Sequence, residues 1–274
     1  MKRLNDFYTT AVTHNGIFHS DDVFSTALLQ LINPDIVIKR VSEVPTDLGS
    51  DTIVFDIGFG EFDHHQPDTP VRDNGIKYAA FGLLWRKYGH LLVSDCSVAS
   101  FDSRFIQPLD DSDNGGPVNL MSSTISSFAP LWDDENQDMD IAFDTAVVFA
   151  TNILSRQIES LNSIVRAKDY VRAAFDNSDG DIVVMDRFLP WQDVLISTTA
   201  KFVVFPSLRG GYAAQAIPST LGGRDQKIPF LDEEVLRTDN LLCDNIVFCH
   251  KGKFLVNTKT IDSAVLACRK SLYR

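Results

Sequence analysis

Histidine and aspartate side chains are concentrated in four short segments of the first half of the sequence. The first segment, residues 13–22, follows a predicted strand and opens a predicted helix, and it carries His14, His19 and Asp21. Side chains at the carboxyl end of a strand gather where open α/β sheets bind ligands. Imidazoles and a carboxylate there can ligate a transition metal, although the same residues are equally typical of a capped helix start.

The other three segments lie on predicted loops. Asp56 ends a short predicted strand, and Asp113 lies in an acidic turn, so each of them alone is typical of an ordinary turn. Between them, Asp63, His64 and His65 form an acid-His-His run that has no good packing explanation. The run fits one imidazole on a metal, a neighbouring aspartate that orients a ring, and a second imidazole free to touch a substrate.

Together the four segments supply a mixture of imidazoles and carboxylates that suits Mn²⁺, Fe²⁺ or Zn²⁺. Two such ions roughly 3.5–4 Å apart can share a carboxylate and a water, activate that water and neutralise a phosphoryl oxygen. The distribution of charge agrees with this hypothesis, because residues 1–137 hold 9 Lys/Arg and 20 Asp/Glu, whereas residues 138–274 hold 16 and 17. Cations between the carboxylates would offset part of the formal net charge of -12.

Composition limits the classes of protein to consider. The 274 residues, 44% of them hydrophobic, can bury the core of one large domain or two ordinary ones. No apolar run approaches the ~20 residues that cross a bilayer, and the N-terminus shows no secretory signal. Four scattered cysteines are typical of reduced thiols, so we expect a cytoplasmic protein. The acidity argues against binding nucleic acid through bulk positive charge.

The elements that must position the four segments alternate between strands and helices. Short β-branched runs predict strands at 8–13, 36–41 and 52–57. Apolar residues at helical spacing predict helices over 22–32 and 76–88. Strands that alternate with helices indicate βαβ units and a mainly parallel sheet.

The rest of the chain shows a different pattern. Residues 108–135, rich in Asp, Ser, Gly and Pro, predict a loop that can contain a short helix, and residues 141–175 predict one long helix or two. We therefore predict an α/β protein with a metal-binding parallel-sheet domain over 1–178 and a smaller mixed α/β domain over 179–274, with a cleft between them. In the second part we predict strands and a closing helix at 182–185, 201–205, 212–217, 246–249, 254–257 and 260–272.

The motifs resemble those of the Myg family of predicted metal-dependent hydrolases, within the DHH phosphoesterase superfamily. In that superfamily the first motif has the form His-x-x-x-Asp-x-Asp, and His19 stands where the first aspartate is usual, a change that Myg-like sequences share. The matching segments are 14–22, 56–66, 78–85 and 110–115, with fainter matches at 188–191 and 247–250.

The resemblance implies a two-metal centre with Asp56 as the bridging ligand and His65 facing the scissile phosphate. It implies two Mn²⁺ ions, with Mg²⁺, Co²⁺ and Zn²⁺ as alternatives. The implied ligands of one metal are His14, His19 and Asp56, and those of the other are Asp21, Asp56, His64 and Asp113.

Side chains of the second half are candidates for binding the rest of a substrate. The charged ones among them are also, taken one at a time, typical of solvated surface residues. Trp132 is a candidate to stack on a base, whereas Trp85 and Trp191 lie in apolar patterns that favour core packing. The candidates to hold phosphate are Arg209, Arg224, Lys227, His250 and Lys251.

The predicted function is hydrolysis of phosphodiester bonds, as an exonuclease on RNA or short oligonucleotides, with Asp56 and His65 at the reacting atoms. The alternatives are a small-molecule phosphatase or pyrophosphatase, or a noncatalytic metal-binding protein. A metalloprotease is disfavoured because the sequence has no H-E-x-x-H motif. Association into a homo-oligomer stays open, and no membrane partner is expected.

Overall fold

A computed structural model describes residues 8–273 and divides the chain into two compact units. Unit 1 ends at Asn162 and unit 2 begins at Ser163. The predicted α/β fold class is confirmed, because a three-stranded parallel sheet and a five-stranded mixed sheet are each packed with helices. Residues 1–7, where the sequence predicts no secretory signal, lie outside the described residues.

Unit 1 is built on a parallel sheet in the order β2-β1-β3. Its strands are β1 (Thr10–His14), β2 (Val37–Val41) and β3 (Thr52–Val54), and α1 (Ser20–Ile32) crosses from β1 to β2. Such a crossover is what joins neighbouring parallel strands. The three strands and α1 lie where the sequence predicts them, apart from a few residues at their ends.

A run of short helices follows between residues 80 and 126 of unit 1. α2 (Ala80–Tyr88) ends in a 3₁₀ turn over Gly89–Leu91, and a π-helical turn over Asp102–Ile106 joins the next two helices. The sequence allowed one short helix within the loop predicted over 108–135, whereas the structure has two, over 107–113 and 120–126, so the loop prediction is wrong at its start. Ile106 and Leu109 face the core, and Asp110, one of the polar residues that suggested a loop, is also buried because it pairs with Arg72. The helices after α2 are α3 (Asp95–Phe101), α4 (Gln107–Asp113) and α5 (Leu120–Ser126).

Aromatic residues hold the helices of unit 1 together. Phe24 of α1 stacks on Phe81 of α2 with ring centroids 5.5 Å apart. The indole of Trp85 is buried, as predicted, and its N–H donates to the carbonyl oxygen of Val98 at 3.1 Å. These contacts fix α2 against α1 and α3, and α2 begins beside the predicted site.

A single helix, α6 (Met139–Asp176), occupies the region where the sequence allows one helix or two. Phe143, Ala146, Ala150 and Leu154 lie at helical spacing and belong to the core of unit 1, whereas Val171 belongs to a core cluster of unit 2. The division between the units therefore falls inside α6. The domain boundary between residues 178 and 179 stays a prediction.

Unit 2 contains a five-stranded sheet in the order β4-β5-β6-β8-β7. β4 pairs with β5 in parallel, and the other neighbours are antiparallel. Trp191 is buried, as predicted. The elements of unit 2 are β4 (Ile182–Val184), α7 (Gln192–Leu195), β5 (Phe202–Pro206), β6 (Tyr212–Ala216), α8 (Glu233–Leu236), β7 (Ile246–Cys249), β8 (Leu255–Thr258) and α9 (Ile261–Leu272).

A buried ionic cluster packs directly against α2. The Arg72 guanidinium donates to Asp102 at 2.9 and 2.6 Å and to Asp110 at 2.7 Å. It also lies over the ring of Tyr78, 3.7 Å from the centroid. Gly82 of α2 leaves the space for this cluster, because a Cβ atom there would collide with the carboxylate of Asp110 and the guanidinium of Arg72.

Gly82→Ala should therefore destabilise the protein, although alanine favours a helix over glycine by ~1 kcal/mol. Overpacking against a buried ion pair costs about 1–3 kcal/mol and outweighs that preference. The measurement is the free energy of unfolding in urea, followed by circular dichroism. Gly60→Ala is the matched control, since a Cβ there meets open space. A Gly82→Ala protein as stable as the wild type would contradict this account of the cluster.

Candidate metal centre

The carboxyl ends of β1 and β3 bring two predicted ligands side by side. In the parallel register Val12 pairs with Val54, so His14 and Asp56 each stand two residues beyond that pair. The Nε2 atom of His14 lies 3.3 Å from Oδ2 of Asp56. The sheet register alone thus brings together side chains 42 residues apart in the sequence.

Asp56 is the centre of the arrangement. It is buried, and its backbone has a φ of 55°, in the left-handed region that non-glycine residues rarely adopt. Its N–H donates to the carbonyl oxygen of Phe62 at 2.9 Å, which returns the chain to the acid-His-His run. Nε2 of His64 then lies 3.2 Å from Oδ1 of Asp56. The two oxygens of one carboxylate therefore face two different imidazoles.

His64 also faces carboxylates from two helices. Its Nε2 lies 3.2 Å from Oδ2 of Asp113, at the end of α4, and 3.8 Å from Oδ2 of Asp21, in the first turn of α1. The helical conformation of 107–113, which the sequence did not predict, places Asp113 at this position. Asp21, Asp56, His64 and Asp113 are thus brought together.

Both central imidazoles are held in the tautomer that leaves Nε2 free for a metal. Nδ1 of His14 lies 3.1 Å from the carbonyl oxygen of Asn15, which can only accept. Nδ1 of His64 lies 3.3 Å from Oδ1 of Asn114. The amide orientation of Asn114 is set because its Nδ2 donates to the carbonyl oxygens of Tyr78 and Asp110. A proton on each Nδ1 is the usual arrangement for histidines that ligate metal through Nε2.

Asp22 is a site residue that the sequence analysis missed. Its Oδ1 accepts the backbone N–H of His19 at 2.8 Å, as an acidic residue at the third helical position often does. Its Oδ2 lies 3.4 Å from Nε2 of His14 and has no hydrogen-bond partner among the described residues. The capping pattern is the signal that indicates this orientation.

Asp21 has a second task that the sequence did not reveal. Its two oxygens accept the backbone N–H groups of Ala80 and Phe81 at 2.8 and 2.7 Å. The carboxylate therefore caps the start of α2, where negative charge is favoured, as well as facing His64.

His65 lies at the exposed edge of the buried cluster, with its ring centroid 4.4 Å from that of His64. Its Nδ1 lies 2.7 Å from Oδ1 of Asp63, and its side chain is more than half exposed. Asp63 binds Nδ1 and orients the ring, so Nε2 is the ring nitrogen left to contact a bound molecule.

The centre carries more negative charge than its own residues neutralise. Burial raises the pKa of Asp22 to about 7 and also raises the pKa of Asp21 and Asp113. Asp56 differs: although burial opposes its ionisation, the nearby imidazoles of His14 and His64 hold its pKa at about 2. The same contact with Asp56 raises the pKa of His14 to about 9.

These residues fit a bound cation. Oδ2 of Asp22 and Oδ1 of Asp56 are buried and lack hydrogen-bond partners among the described residues, which is costly unless a cation compensates them. Three groups of side chains, each with ligand atoms within 4.8 Å of one another, can bind a metal ion. The groups are His14/Asp22/Asp56, Asp56/His64/His65 and Asp21/His64/Asp113.

The remaining predicted site residues are not brought into the ligand groups, although His19 lines the cavity over the centre. His19 is exposed, its ring is 6.1 Å from that of His14, and it belongs to none of the three groups. Arg209, Arg224 and His250 are exposed residues of unit 2, and their roles stay predictions. Lys227 differs, because its ammonium group donates to three backbone carbonyls, those of Leu195, Thr198 and Ala200, at 3.1, 2.7 and 3.1 Å.

A cavity of about 1050 Å³ opens over the centre within unit 1. Its wall contains the histidines and Asp56, together with serines of α5 and the apolar side chains of Ile17, Phe59 and Val118. None of the described residues that line it is lysine or arginine. Trp132 is 92% exposed but is not among the lining residues.

The α/β fold and the His/Asp groups at the ends of its parallel strands are typical of metal-binding α/β proteins. The chain belongs to the family MYG1_exonuc, described as "Uncharacterised protein family (UPF0160)", whose profile matches residues 10–272. The resemblance to the Myg family is thereby confirmed.

Similar proteins match almost the whole chain. The chain is similar to the MYG1 protein of Dictyostelium discoideum, with 26% identity over 96% of each sequence. It is 25% identical to the MYG1 exonuclease of Bos taurus, over 95% of this chain and 84% of the relative. The MYG1 protein of Chlamydia muridarum is 29% identical over 89% of each sequence.

A search of solved structures and a search for membrane-spanning helices both have negative results. No solved structure gives a significant match. Among the helices of residues 8–273, none has the length and apolar character needed to cross a membrane.

Asp22→Asn tests the excess of buried negative charge. Because the pKa of Asp22 rises from 3.8 to about 7 in the folded protein, its ionisation destabilises the metal-free wild type as pH rises through that interval. Asparagine keeps the acceptor for the His19 N–H but carries no charge. The variant should therefore equal the wild type near pH 4 and exceed it by roughly 1–3 kcal/mol above pH 7.

The measurement is urea unfolding between pH 4 and 8 in the presence of a chelator. With Mn²⁺ the order should reverse, since the ion stabilises the wild type more strongly. Asp47→Asn, an exposed aspartate, is the control and should change neither curve. Equal pH dependence of Asp22→Asn and wild type would show that Asp22 carries no uncompensated charge.

Proposed function

We propose that the protein is a divalent-metal-dependent phosphoesterase of the DHH type that uses two ions to cleave phosphodiester bonds. The proposal rests on the position of the Asp56 carboxylate between two imidazoles. Its Oδ2 faces His14, and its Oδ1 faces His64. A carboxylate with each oxygen in a different ligand group is suited to bridge two ions.

The proposed ligands differ in one position from those that the family resemblance implies. His14, Asp22 and Asp56 would hold one ion, because Asp22 rather than His19 faces His14. Asp56, His64, Asp113 and Asp21 would hold the other. Imidazole mixed with carboxylate suits Mn²⁺, with Mg²⁺, Co²⁺ and Zn²⁺ as alternatives. When bound, the ions supply Lewis-acid stabilisation of phosphate charge and an acidified water.

The protein's own contribution to the reaction is assigned to His65. Asp63 binds Nδ1, so Nε2 is the atom available to exchange a proton with the leaving oxygen or to steady the phosphoryl group. Asp56, which is buried, would hold the two ligand groups together through its contacts with His14 and His64.

The relatives support a nucleic-acid substrate. The Bos taurus and Homo sapiens relatives are named MYG1 exonuclease, at 25% and 24% identity over 95% of this chain. We propose that this protein likewise acts as an exonuclease, on RNA or short oligonucleotides. Arg209, Arg224 and His250 of unit 2 remain candidates to hold the rest of such a substrate.

The charge of the cavity favours a phosphodiester over pyrophosphate. A diester brings one negative charge to the centre, whereas pyrophosphate brings several. Since no described lining residue is lysine or arginine, the bound ions alone would have to balance pyrophosphate. Hydrolysis of pyrophosphate is therefore the alternative activity, and the test below distinguishes it from cleavage of a phosphodiester.

The test compares wild type and Asp56→Asn with Mn²⁺ on a short RNA, on a dinucleotide and on pyrophosphate. Asparagine tolerates the left-handed backbone of position 56, so the fold should be kept. Loss of the shared charge should decrease kcat/KM at least about 10³-fold. It should also reduce the number of bound metal ions below two per chain. Asp47→Asn is again the control.

Three results would overturn the proposal. One is cleavage of pyrophosphate but of neither nucleotide substrate. Another is a wild type that binds two ions yet cleaves nothing. The last is an Asp56→Asn protein with full activity.

A further inference from the structure

Phe59 is an exposed aromatic residue held in a strained conformation at the edge of the centre. Its side chain is 70% exposed, and it lines the cavity over Asp56, His64 and His65. Its φ is 56°, which for a side chain with a Cβ costs roughly 1–2 kcal/mol. Neither packing nor backbone preference accounts for a phenylalanine here, where glycine would be more stable.

The same carboxylate fixes Phe59 and His65. Oδ2 of Asp63 accepts the backbone N–H of Phe59 at 2.7 Å. Oδ1 of Asp63 faces the backbone N–H and Nδ1 of His65, at 3.1 and 2.7 Å. The aromatic ring is therefore carried by a backbone whose position is tied to the imidazole that reaches into the cavity.

The walls of the cavity indicate what could lie against this ring. Ile17 and Val118 are exposed apolar side chains of the same cavity, so an apolar flat group finds more than one contact. Ser122 and Ser126 of α5 and Ser112 of α4 supply neutral hydroxyl groups. A molecule that suits these walls has a planar ring, hydroxyl groups and a single phosphate charge.

We propose that Phe59 stacks on the base of the nucleotide whose phosphate lies at the centre, and that it gives the site its preference for nucleosidic over simple phosphoesters. The inference rests on the proposed phosphoesterase function and names its substrate class. Stacking of a base on an aromatic side chain does not depend on which base is present. The preference is therefore for a nucleoside of any sequence.

The test uses two dinucleotides with the same backbone and terminal phosphate. One carries two adenines, and the other carries tetrahydrofuran abasic residues. Stacking contributes about 5- to 100-fold in binding per base. The wild type should therefore have a KM for the adenine dinucleotide lower by about that factor. Phe59→Ala and Phe59→Gly should remove the difference by raising KM for the adenine dinucleotide alone.

Two controls separate stacking from damage to the fold. Phe59→Gly relieves the left-handed strain, so it should unfold at a higher urea concentration than the wild type while losing the preference. Phe59→Tyr keeps an aromatic face and should retain it. Metal content should stay unchanged in all three variants.

The outcomes distinguish this inference from the proposed function. If the wild type cleaves neither dinucleotide with Mn²⁺, the phosphoesterase proposal itself fails. If the wild type cleaves both dinucleotides with equal KM, or Phe59→Gly keeps the preference, the role of Phe59 is overturned and the phosphoesterase proposal stands. An equal rise in KM for both dinucleotides in the variants would likewise overturn it, because stacking cannot act on an abasic residue.

Discussion

The buried carboxylate of Asp56, shared between two imidazoles, is the interaction on which the arrangement of the candidate metal centre depends. A buried carboxylate is stable only with charged or hydrogen-bonded partners, so His14 and His64 must be held on either side of it. The left-handed backbone at Asp56 turns the chain immediately after β3, and the hydrogen bond from Asp56 to Phe62 closes the loop behind it. Strain at one residue is thus compensated by contacts from three segments.

Packing far from Asp56 sets the orientation of its partners. The ring of His64 is fixed by Asn114, whose side chain donates to the carbonyl oxygen of Asp110. Asp110 is in turn held by Arg72, in space that Gly82 leaves open beside α2. A chain of direct contacts therefore runs from the ionic cluster beside α2 to the metal-facing imidazole of His64.

The geometry of the centre explains part of the acidity of the first half of the sequence. Most of the formal charge of -12 lies in residues 1–137, and part of it is buried in one cluster that its own histidines do not neutralise. Cations in that cluster would reduce the negative field that a phosphate meets. The absence of lysine and arginine from the described lining still disfavours a multiply charged ligand at this centre, so charge limits the substrate as well as the metal.

The sequence by itself determined the parallel sheet, the long helix region and the meeting of His14 with Asp56, because side chains at the carboxyl ends of parallel strands lie at one edge. The sequence offered His64 and Asp113 as candidate ligands, but the turn after Asp56 and the helix over 107–113 bring them together. It did not determine which helix-start residue faces His14. Only the tertiary structure decided this, because Asp21 is turned toward the N-terminus of α2, 59 residues away, while Asp22 caps its own helix. The spacing of residues in the sequence shows which side chains are available as ligands. Contacts between distant elements set the orientation of each side chain and thereby decide which of them face the centre.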